Sequence, residues 1–510
     1  MILGVIRMKE NKIDERAYKK VVDVLKNQKQ GMTVADITAK TALPLDTVKE
    51  LVVIASDEFS GRMQVTESGE ILYSFPRGFK SKYRGLGVAL KKVFSAIKKG
   101  VKTVGVWLFK TWIMLMLVGY FVLFMAIALI ALLASTVISV SGSGDNRSSS
   151  RRNDSIGGLY AVSYILDLII RIWFYSEVSK SIDRSIYGYD QRAVKPKGRP
   201  LHHAVFSFVF GDGDPNADWE SRERKAVISY IQANKGIISL PEFMILTGAS
   251  PQEAEQKITR YCVEFEGMPE ATEDGTVIYR FEALLLRADT QDRSFAGLSA
   301  PIKRLHVFSK NTNKMNTWFG IINGVNLVFG SYFLYFANTL GPIVSNTQVR
   351  GSSYLYAIAY ILFSGFFNNP LWAINLILGF TPVAFAILFY LIPAIRYYNL
   401  NKTNEQIKLE NLRKTLYQQI WEHPQLVHLE DVNPAAEEYR PRDFKQKTEF
   451  LIKELGTYSI PEVKLADDGT TIYSFPDLER EKLVIYKIRS AVEPSQFKLG
   501  KTIFDSHGNT

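Results

Sequence analysis

Five oxygen-bearing side chains between positions 212 and 223 have the spacing of a calcium-binding loop. They stand at positions 1, 3, 5, 7 and 12 of such a loop, and they are Asp212, Asp214, Asn216, Asp218 and Glu223. Position 6 is Ala217, where the sharp turn of the loop requires Gly, and Pro215 stiffens position 4. The pattern therefore favours a rigid Gly/Pro turn, whose Asp or Asn caps a helix beginning near Trp219, over a metal site. Calcium is kept as the alternative.

A charged pair interrupts an apolar stretch nearer the N-terminus. Asp167 and Arg171 are four residues apart within residues 156–175, so a helix brings both to one face. A charge at the centre of a bilayer costs about 2.5–3.5 kcal/mol on insertion scales, and pairing offsets part of that cost. The spacing favours a structural pair facing protein in a membrane-spanning helix. An ion or proton site of a transporter or channel, and an interfacial helix, are the alternatives.

The rest of the sequence lacks the patterns of common catalytic sites. No Ser or Cys stands at a recognisable spacing from a base, and no Gly-rich phosphate loop opens a helix. The single cysteine, Cys262, excludes an intramolecular disulfide and a thiolate-bound iron–sulfur cluster within one chain. We therefore expect a protein that is not an enzyme and that binds no cofactor.

Long apolar runs indicate the elements that carry these residues. The runs are residues 111–140, 156–175, 315–340 and 354–397. The first contains no charge and would form a helix of about 45 Å, longer than the ~30 Å hydrocarbon core requires. The last is interrupted at residues 368–370 and contains Pro393, so it forms either two spans or one span with an interfacial or re-entrant piece.

Basic residues flank the apolar runs, and they predict the orientation in the membrane. The formal net charge of the 510-residue chain is +11, and the segments before and after each pair of runs are rich in Lys and Arg. The positive-inside rule therefore places both termini and the middle region in the cytoplasm or its equivalent. This orientation requires an even number of crossings in each half, and we therefore expect two helical hairpins, at residues 104–176 and 315–397, with four spans in total.

Residues 79–103 form a basic segment beside the first hairpin. A helix there aligns apolar side chains on one side, and on or beside the other it places Lys91, Lys92, Lys98, Lys99 and Lys102. This pattern is typical of an interfacial amphipathic helix attracted to anionic lipid. The alternative is a helix packed on the first soluble domain.

Three stretches outside the apolar runs match one another, at residues 66–75, 272–281 and 466–475. In each, an acidic turn ends in Gly and an alternating apolar strand follows, which predicts a β-hairpin. Helical patterns precede each hairpin, and the second includes a capping box at Ser250 with Pro251 in the first turn. Helices followed by a hairpin resemble the winged-helix domain. The sequence thus predicts three winged-helix-like domains, at residues 14–78, 218–288 and 406–478.

The third helix of such a domain decides what it binds, because DNA readers place it in the major groove. The first two copies are acidic there, which disfavours phosphate. The third copy has a helix predicted from 442 to 455, and Arg442, Lys445 and Lys447 are its candidate nucleic-acid contacts. We expect protein–protein contact, with nucleic acid as the less favoured partner.

The string from Phe208 to Asn216, Phe-Val-Phe-Gly-Asp-Gly-Asp-Pro-Asn, lies between the predicted spans and a helical domain. Together with this layout, it resembles an uncharacterised membrane-protein family of cyanobacteria and plant chloroplasts. The resemblance implies a bacterial inner or thylakoid membrane and supplies no activity.

The predicted fold class is an α-helical membrane protein with α+β soluble domains. Its remaining segments are a basic linker at residues 177–217, a linker at 289–314 and a tail at 479–510. The expected function is a membrane-anchored scaffold or assembly factor that presents winged-helix domains to protein partners at the cytoplasmic or stromal face. A membrane-tethered nucleic-acid-binding regulator is the first alternative, and a transporter using Asp167 and Arg171 is the second. The sequence names neither the partner nor the oligomeric state.

Overall fold

The computed structural model describes residues 14–27, 30–76, 78–80, 82, 100–101, 103–141, 199–288, 298–342, 351–465, 471–493 and 497–506. It divides into two compact units. The first, called the soluble unit, comprises Met1–Lys92, Asp214–His306 and Lys402–Thr510. The second, called the apolar unit, comprises Val93–Gly213 and Val307–Asn401.

The α-helices of the described residues are numbered α1 to α14, and a further helical stretch from Thr103 leads into α4. They are α1 (Glu15–Lys26), α2 (Val34–Thr41), α3 (Leu45–Phe59), α4 (Tyr120–Ser141), α5 (Leu201–Phe210), α6 (Trp219–Ala233), α7 (Leu240–Thr247), α8 (Pro251–Phe265), α9 (Asn313–Thr339), α10 (Tyr354–Ser364), α11 (Pro370–Ala373), α12 (Thr381–Glu422), α13 (Phe444–Leu455) and α14 (Pro476–Ala491).

The described strands form three small antiparallel sheets of three strands each, with orders β2-β1-β9, β3-β5-β4 and β6-β8-β7. The strands are β1 (Arg62–Thr66), β2 (Ile71–Ser74), β3 (Ile237–Ser239), β4 (Met268–Ala271), β5 (Val277–Arg280), β6 (Val427–His428), β7 (Glu462–Leu465), β8 (Thr471–Ser474) and β9 (Thr502–Asp505).

The soluble unit contains three groups of helices, each followed by an antiparallel hairpin. The N-terminal group has α1–α3 with β1 and β2, and the middle group has α6–α8 with β3–β5. The C-terminal group has the end of α12 and α13 with β6–β8. Antiparallel strands thus lie at all three stretches where acidic turns predict hairpins. In the two turns that the structure describes, Gly69 and Gly275 have φ of +83° and +80°, which an L side chain rarely adopts.

Local sequence signals explain where the short helices of these groups begin. Thr33 with Asp36, Ser239 with Glu242 and Ser250 with Glu253 each form a capping box that satisfies backbone N–H groups at a helix start. A single apolar core, which includes Val48, Phe243 and Leu416, runs through all three groups.

The apolar unit is built from long helices. Three helices among the described residues are long and apolar enough to cross a membrane: Thr103–Ala134, Asn313–Thr339 and Pro370–Glu422. The first includes a π-helical turn at Leu115–Gly119 and continues as α4, and a second π-helical turn at Ile374–Phe380 joins α11 to α12. The buried Asn326 of α9 donates to the carbonyl of Leu117 in the first π-turn, at 2.8 Å, which ties α9 to this irregular turn.

The structure answers the question left open for residues 354–397. Helix α10 has 11 residues, about 16 Å, which is too short to cross the ~30 Å core. The remaining run forms one long helix that continues through Pro393. One candidate span with a short apolar companion therefore replaces the alternative of two spans.

Two other sequence predictions need correction. Helix α13 begins at Phe444, with Asp443 as its N-cap at a φ of +54°, so Arg442 lies outside the helix. The segment assigned as a tail, residues 479–510, contains most of α14 and all of β9.

Candidate functional site

A buried ion pair joins α14 to the middle group. Glu242, at the third position of α7, is 2% exposed and already completes the capping box with Ser239. The guanidinium of Arg489 donates to both of its carboxylate oxygens, at 2.9 and 2.7 Å. Tyr230 donates a third bond, at 2.6 Å. Removing one partner would leave a buried charge uncompensated, which makes this contact costly to break.

The N-terminal and middle groups are joined by a second buried acid, Asp36. Its carboxylate caps α2 and accepts bonds from Arg287 Nε at 3.3 Å and the backbone N–H of Ala288 at 2.9 Å. Lys49 of α3 also pairs with Glu266 at the end of α8. Charge-assisted bonds thus fix these two groups against each other.

The last described strand closes the sheet of the N-terminal group. Strand β9 pairs antiparallel with β1. The carboxylate of its Asp505 accepts hydrogen bonds from Nε and from a terminal nitrogen of Arg62. Its apolar side chains, Ile503 and Phe504, are exposed. The strand is therefore held by backbone bonds and this ion pair, with little apolar burial.

A polar cleft of about 710 Å³ lies between the middle and C-terminal groups. Its lining includes the cations Lys257, Arg260, Lys303 and Arg413. Each has a carboxylate partner within 4.0 Å, such as Glu410 for Lys303 and Glu454 for Arg413. These pairs neutralise the cleft, which gives it no excess charge for an anionic ligand.

A second cleft, of about 530 Å³, lies on the C-terminal group and has an apolar rim. We call it the C-terminal cleft. Leu426, Leu483 and Tyr486 line it and are 60%, 65% and 70% exposed. Exposed large apolar side chains grouped around a concave surface are typical of protein interaction sites. Further exposed apolar side chains of the same group are Phe450, Ile460, Val463 and Leu465.

The residues of the calcium-loop hypothesis have partners of their own. The Asp212 carboxylate accepts bonds from Arg199, from the Ser207 hydroxyl at 2.6 Å and from the backbone N–H of Lys310 at 2.7 Å. Burial alone raises the pKa of Asp212, but these donors outweigh it and hold the pKa at about 2. Its oxygens thus serve as acceptors of structural bonds.

The other members of that hypothesis lie in the soluble unit. Asn216 bonds the backbone of Arg304 in both directions, at 2.7 and 2.9 Å, and the buried Glu223 accepts a bond from the indole of Trp219. The expected side-chain cap is wrong, because Asp218 is the N-cap of α6 without a capping bond. Within the described ranges, no cluster of three or more His, Cys, Asp or Glu side chains is arranged to hold a metal.

The Phe208–Asp212 part of the motif ends α5 in a specific way. Arg396 donates to the carbonyls of Phe308 at 2.6 Å and Phe208 at 2.7 Å, and its guanidinium lies 4.2 Å from the Phe308 ring centre. Gly211, with a φ of +84°, leaves room for this guanidinium where a Cβ would meet it. The motif therefore caps a helix and joins three segments of the apolar unit.

Two of the three candidate nucleic-acid residues already contact a carboxylate, Glu405. Lys447 pairs with Glu405 at 2.9 Å, and the backbone N–H of Arg442 also donates to Glu405, at 3.0 Å. Lys445 is exposed on α13. Pairing with Glu405 lowers the positive potential that phosphate binding requires.

Two sets of predicted residues lie outside the described part of the chain. They are the intramembrane pair Asp167 and Arg171, and the lysines of the basic helix, Lys91, Lys92, Lys98, Lys99 and Lys102.

Sequence reasoning missed Arg489, Asp36 and β9. Arg489 and Asp36 resemble ordinary surface charges in sequence, and only the fold shows their burial. The sequence does contain a signal for β9. Thr502–Asp505 follows Gly500, and its two central residues are apolar and lie between polar ones.

Comparison with known proteins gives one relative of most of the chain. It is an uncharacterised chloroplastic protein of Arabidopsis thaliana, 24% identical over 460 residues, which cover 86% of this chain and 78% of the relative. No protein-family model and no solved structure matches the chain. The similarity is consistent with the predicted resemblance to an uncharacterised family of plant chloroplasts.

Proposed function

We propose that the chain is a membrane-anchored scaffold or assembly factor. In this proposal the three groups of the soluble unit are winged-helix-like domains that bind a protein partner at the cytoplasmic or stromal face. In this proposal the membrane is a thylakoid or bacterial inner membrane, and the chloroplast location in the name of the Arabidopsis relative agrees with the first of these. The chain acts by holding a partner, with no reaction of its own.

Aromatic side chains of the apolar unit support its placement in a bilayer. Trp107, Trp112 and Tyr397 are exposed near one end of the candidate spans, whereas Tyr335 and Trp372 are exposed near the other. From Trp372 to Tyr397 a helix rises about 37 Å, close to the separation of the two interfaces of a membrane. Two levels of exposed Trp and Tyr are the pattern of an aromatic belt.

The proposed number of spans is counted from the apolar helices, and the proposed orientation is taken from the charges beside them. The three described candidates and the predicted span at residues 156–175 give four crossings, which return both termini and the middle region to one side. Lys310 before α9, Lys314 in its first turn, and Lys402 and Lys408 along α12 agree with that side being the basic one.

The C-terminal cleft is the observation that carries a binding function. Its rim exposes Leu426, Leu483 and Tyr486 to solvent, and leaving such groups exposed costs free energy that a partner's apolar side chain would recover. Glu422 and Glu479 border the cleft with Lys482, whose ammonium donates to the carbonyls of Trp421 and Glu422, so acids outnumber Lys at the rim and favour a partner with a basic flank.

Site-specific photo-crosslinking in native membranes tests this function. A photoreactive amino acid replaces Tyr486 in the full-length protein, and a matched variant carries it at Asp274, an exposed position in the turn of the middle hairpin. We expect one protein adduct from position 486 that is absent at 274 and is lost on Leu483→Glu. Equal adducts at both positions, or adducts that survive Leu483→Glu, would reject a partner at this cleft.

A further inference from the structure

A cluster of basic side chains, with no acid paired to it among the described residues, lies on the apolar unit, where α5 contacts the helix containing Thr103–Ala134. The Lys110 ammonium is 3.3 Å from Nδ1 of His203, whose ring centre is 4.5 Å from that of His202. The side chain of Trp107 lies edge-on to His202, with ring centres 6.4 Å apart. Three nitrogen-bearing groups thus share one small area of surface.

The described surroundings do not neutralise this cluster. Lys110 contacts the His203 ring and the face of Phe206, 4.6 Å from its centre, and no described carboxylate pairs with it. The acid that follows α5, Asp212, is already bonded to Arg199, Ser207 and Lys310. Burial lowers the pKa of His203, and the charges of Lys110, His202 and Arg199 lower it further. The Lys110 ammonium beside the two imidazole rings therefore leaves a local positive charge, which an anion would relieve.

Exposed aromatic rings continue the surface beside the cluster. Trp107, Phe109 and Trp112 are 51%, 46% and 50% exposed, and Phe109 lies against Phe210 with ring centres 5.8 Å apart. Apolar rings in contact with basic groups match the boundary between acyl chains and headgroups, where Lys reaches toward phosphate. A free inorganic anion would gain nothing from these rings, so they favour a lipid.

We propose that Lys110, His203 and His202 bind the headgroup phosphate of an anionic phospholipid whose acyl chains lie along Trp107 and Phe109. This site is separate from the basic segment at residues 79–103. It rests on the proposed placement of the apolar unit in a membrane. Its consequence is that the protein selects anionic lipid at one position in addition to any general attraction to a charged surface.

Native mass spectrometry of the full-length protein tests the site. The protein is purified in detergent with phosphatidylglycerol or phosphatidylcholine, and the retained lipid is counted. We expect preferential retention of phosphatidylglycerol, reduced about fivefold in Lys110→Gln with His203→Gln, because the double variant removes the ammonium charge and one imidazole donor. Lys110→Arg keeps the charge and the preference. Lys314→Gln removes the same charge from the first turn of α9, where the described residues show no contact of Lys314 with His203 or the aromatic rings, and retains phosphatidylglycerol like the native protein.

Three results would overturn the site: equal retention of both lipids by the native protein, unchanged retention in the double variant, or full displacement of phosphatidylglycerol by inorganic phosphate. If the double variant fails to fold, the comparison of Lys110→Gln with Lys110→Arg gives the same decision. Extraction of the membranes with alkaline carbonate separates this proposal from the function above. Release of the native protein from the membranes would reject its placement in a bilayer. Retention in the membranes without a lipid preference would reject only the lipid site.

Discussion

Glu481 of α14 is a buried carboxylate whose protonation should affect stability. It is 8% exposed and accepts bonds from the hydroxyl of Tyr458, at 2.9 and 3.2 Å. Burial raises the pKa of Glu481 from 4.5 to about 7; the Tyr458 bond opposes this, and Glu242 and Asp477 add to it. Because the folded state then binds the proton more tightly, this group's contribution to stability falls as pH rises from about 4.5 to 7.

We predict that Glu481→Gln stabilises the protein at about pH 8, by an order of 1–3 kcal/mol, and has little effect near pH 4.5. Gln keeps the hydrogen-bond acceptor and removes the charge. Thermal unfolding in detergent at both pH values measures the difference. Glu462→Gln, at an exposed position of β7, is the control with no expected pH-dependent gain. A shift of equal size at both pH values would contradict the assignment.

Gly211 and Gly213 form a matched pair for a test of the motif. Both have positive φ, +84° and +90°, but an added Cβ at Gly211 meets the Arg396 guanidinium, whereas at Gly213 it meets nothing within 4 Å. Each Gly→Ala change carries a backbone cost of about 1–2 kcal/mol. We predict that Gly211→Ala costs more by about 1–3 kcal/mol, because Arg396 must leave carbonyl oxygens that it satisfies. Thermal unfolding of the two variants decides; equal losses would mean that Arg396 moves away freely.

At the scale of elements, β9 depends on main-chain bonds rather than on apolar burial. We predict that in a chain ending at Leu499 the amide protons of Met63 and Val65 exchange faster, because these two N–H groups of β1 face β9 and lose their partners. Hydrogen exchange followed by mass spectrometry measures this over residues 62–66. Ile503→Ser is the control, since that side chain is 66% exposed and contributes little burial. Protection that survives the truncation would show that β9 is dispensable.

Helix α13 provides the test between protein and nucleic-acid partners. With Lys447 paired to Glu405, we predict that the full-length protein in detergent shows no DNA binding at ~50 mM salt. Electrophoretic mobility shift with duplex DNA measures this. Binding that weakens with salt and is lost on Lys445→Glu with Lys447→Glu would instead favour the regulator.

A helix or strand could be predicted from the sequence where neighbouring residues alone determine it. Capping boxes at Ser250 and the Gly-containing turns are fixed by neighbouring residues, so the helices and hairpins beside them follow from sequence. Pro393 is a local signal for a helix end, but α12 continues through it. The partner of β9 lies over 430 positions away along the chain, at β1, and no local pattern records such a contact. The exposed rim of the C-terminal cleft likewise depends on packing. The position of Leu483 in its helix does not show that its side chain is exposed.

At the scale of the whole molecule, the soluble unit is one body built from distant parts of the chain. Arg489 with Glu242 and Asp36 with Arg287 join groups that are separated along the sequence by the long apolar helices. Such an assembly requires that residues before, between and after those helices reach the same compartment. The contacts within the soluble unit and the positive-inside rule thus support the proposed topology by separate arguments.

We predict that all three groups are labelled from one side of the membrane. In a Cys262→Ser background, single cysteines replace Glu50, Asp274 or Ser490, which are exposed in the N-terminal, middle and C-terminal parts of the soluble unit. In vesicles of known orientation, an impermeant maleimide should modify all three from the basic side, because an even number of crossings separates them. Ser352→Cys, beside α10, should be modified only after the vesicles are opened. Modification of position 274 from the side opposite to position 50 or 490 would require an odd number of spans. It would also be incompatible with the buried Arg489–Glu242 pair, since one ion pair cannot form across a bilayer.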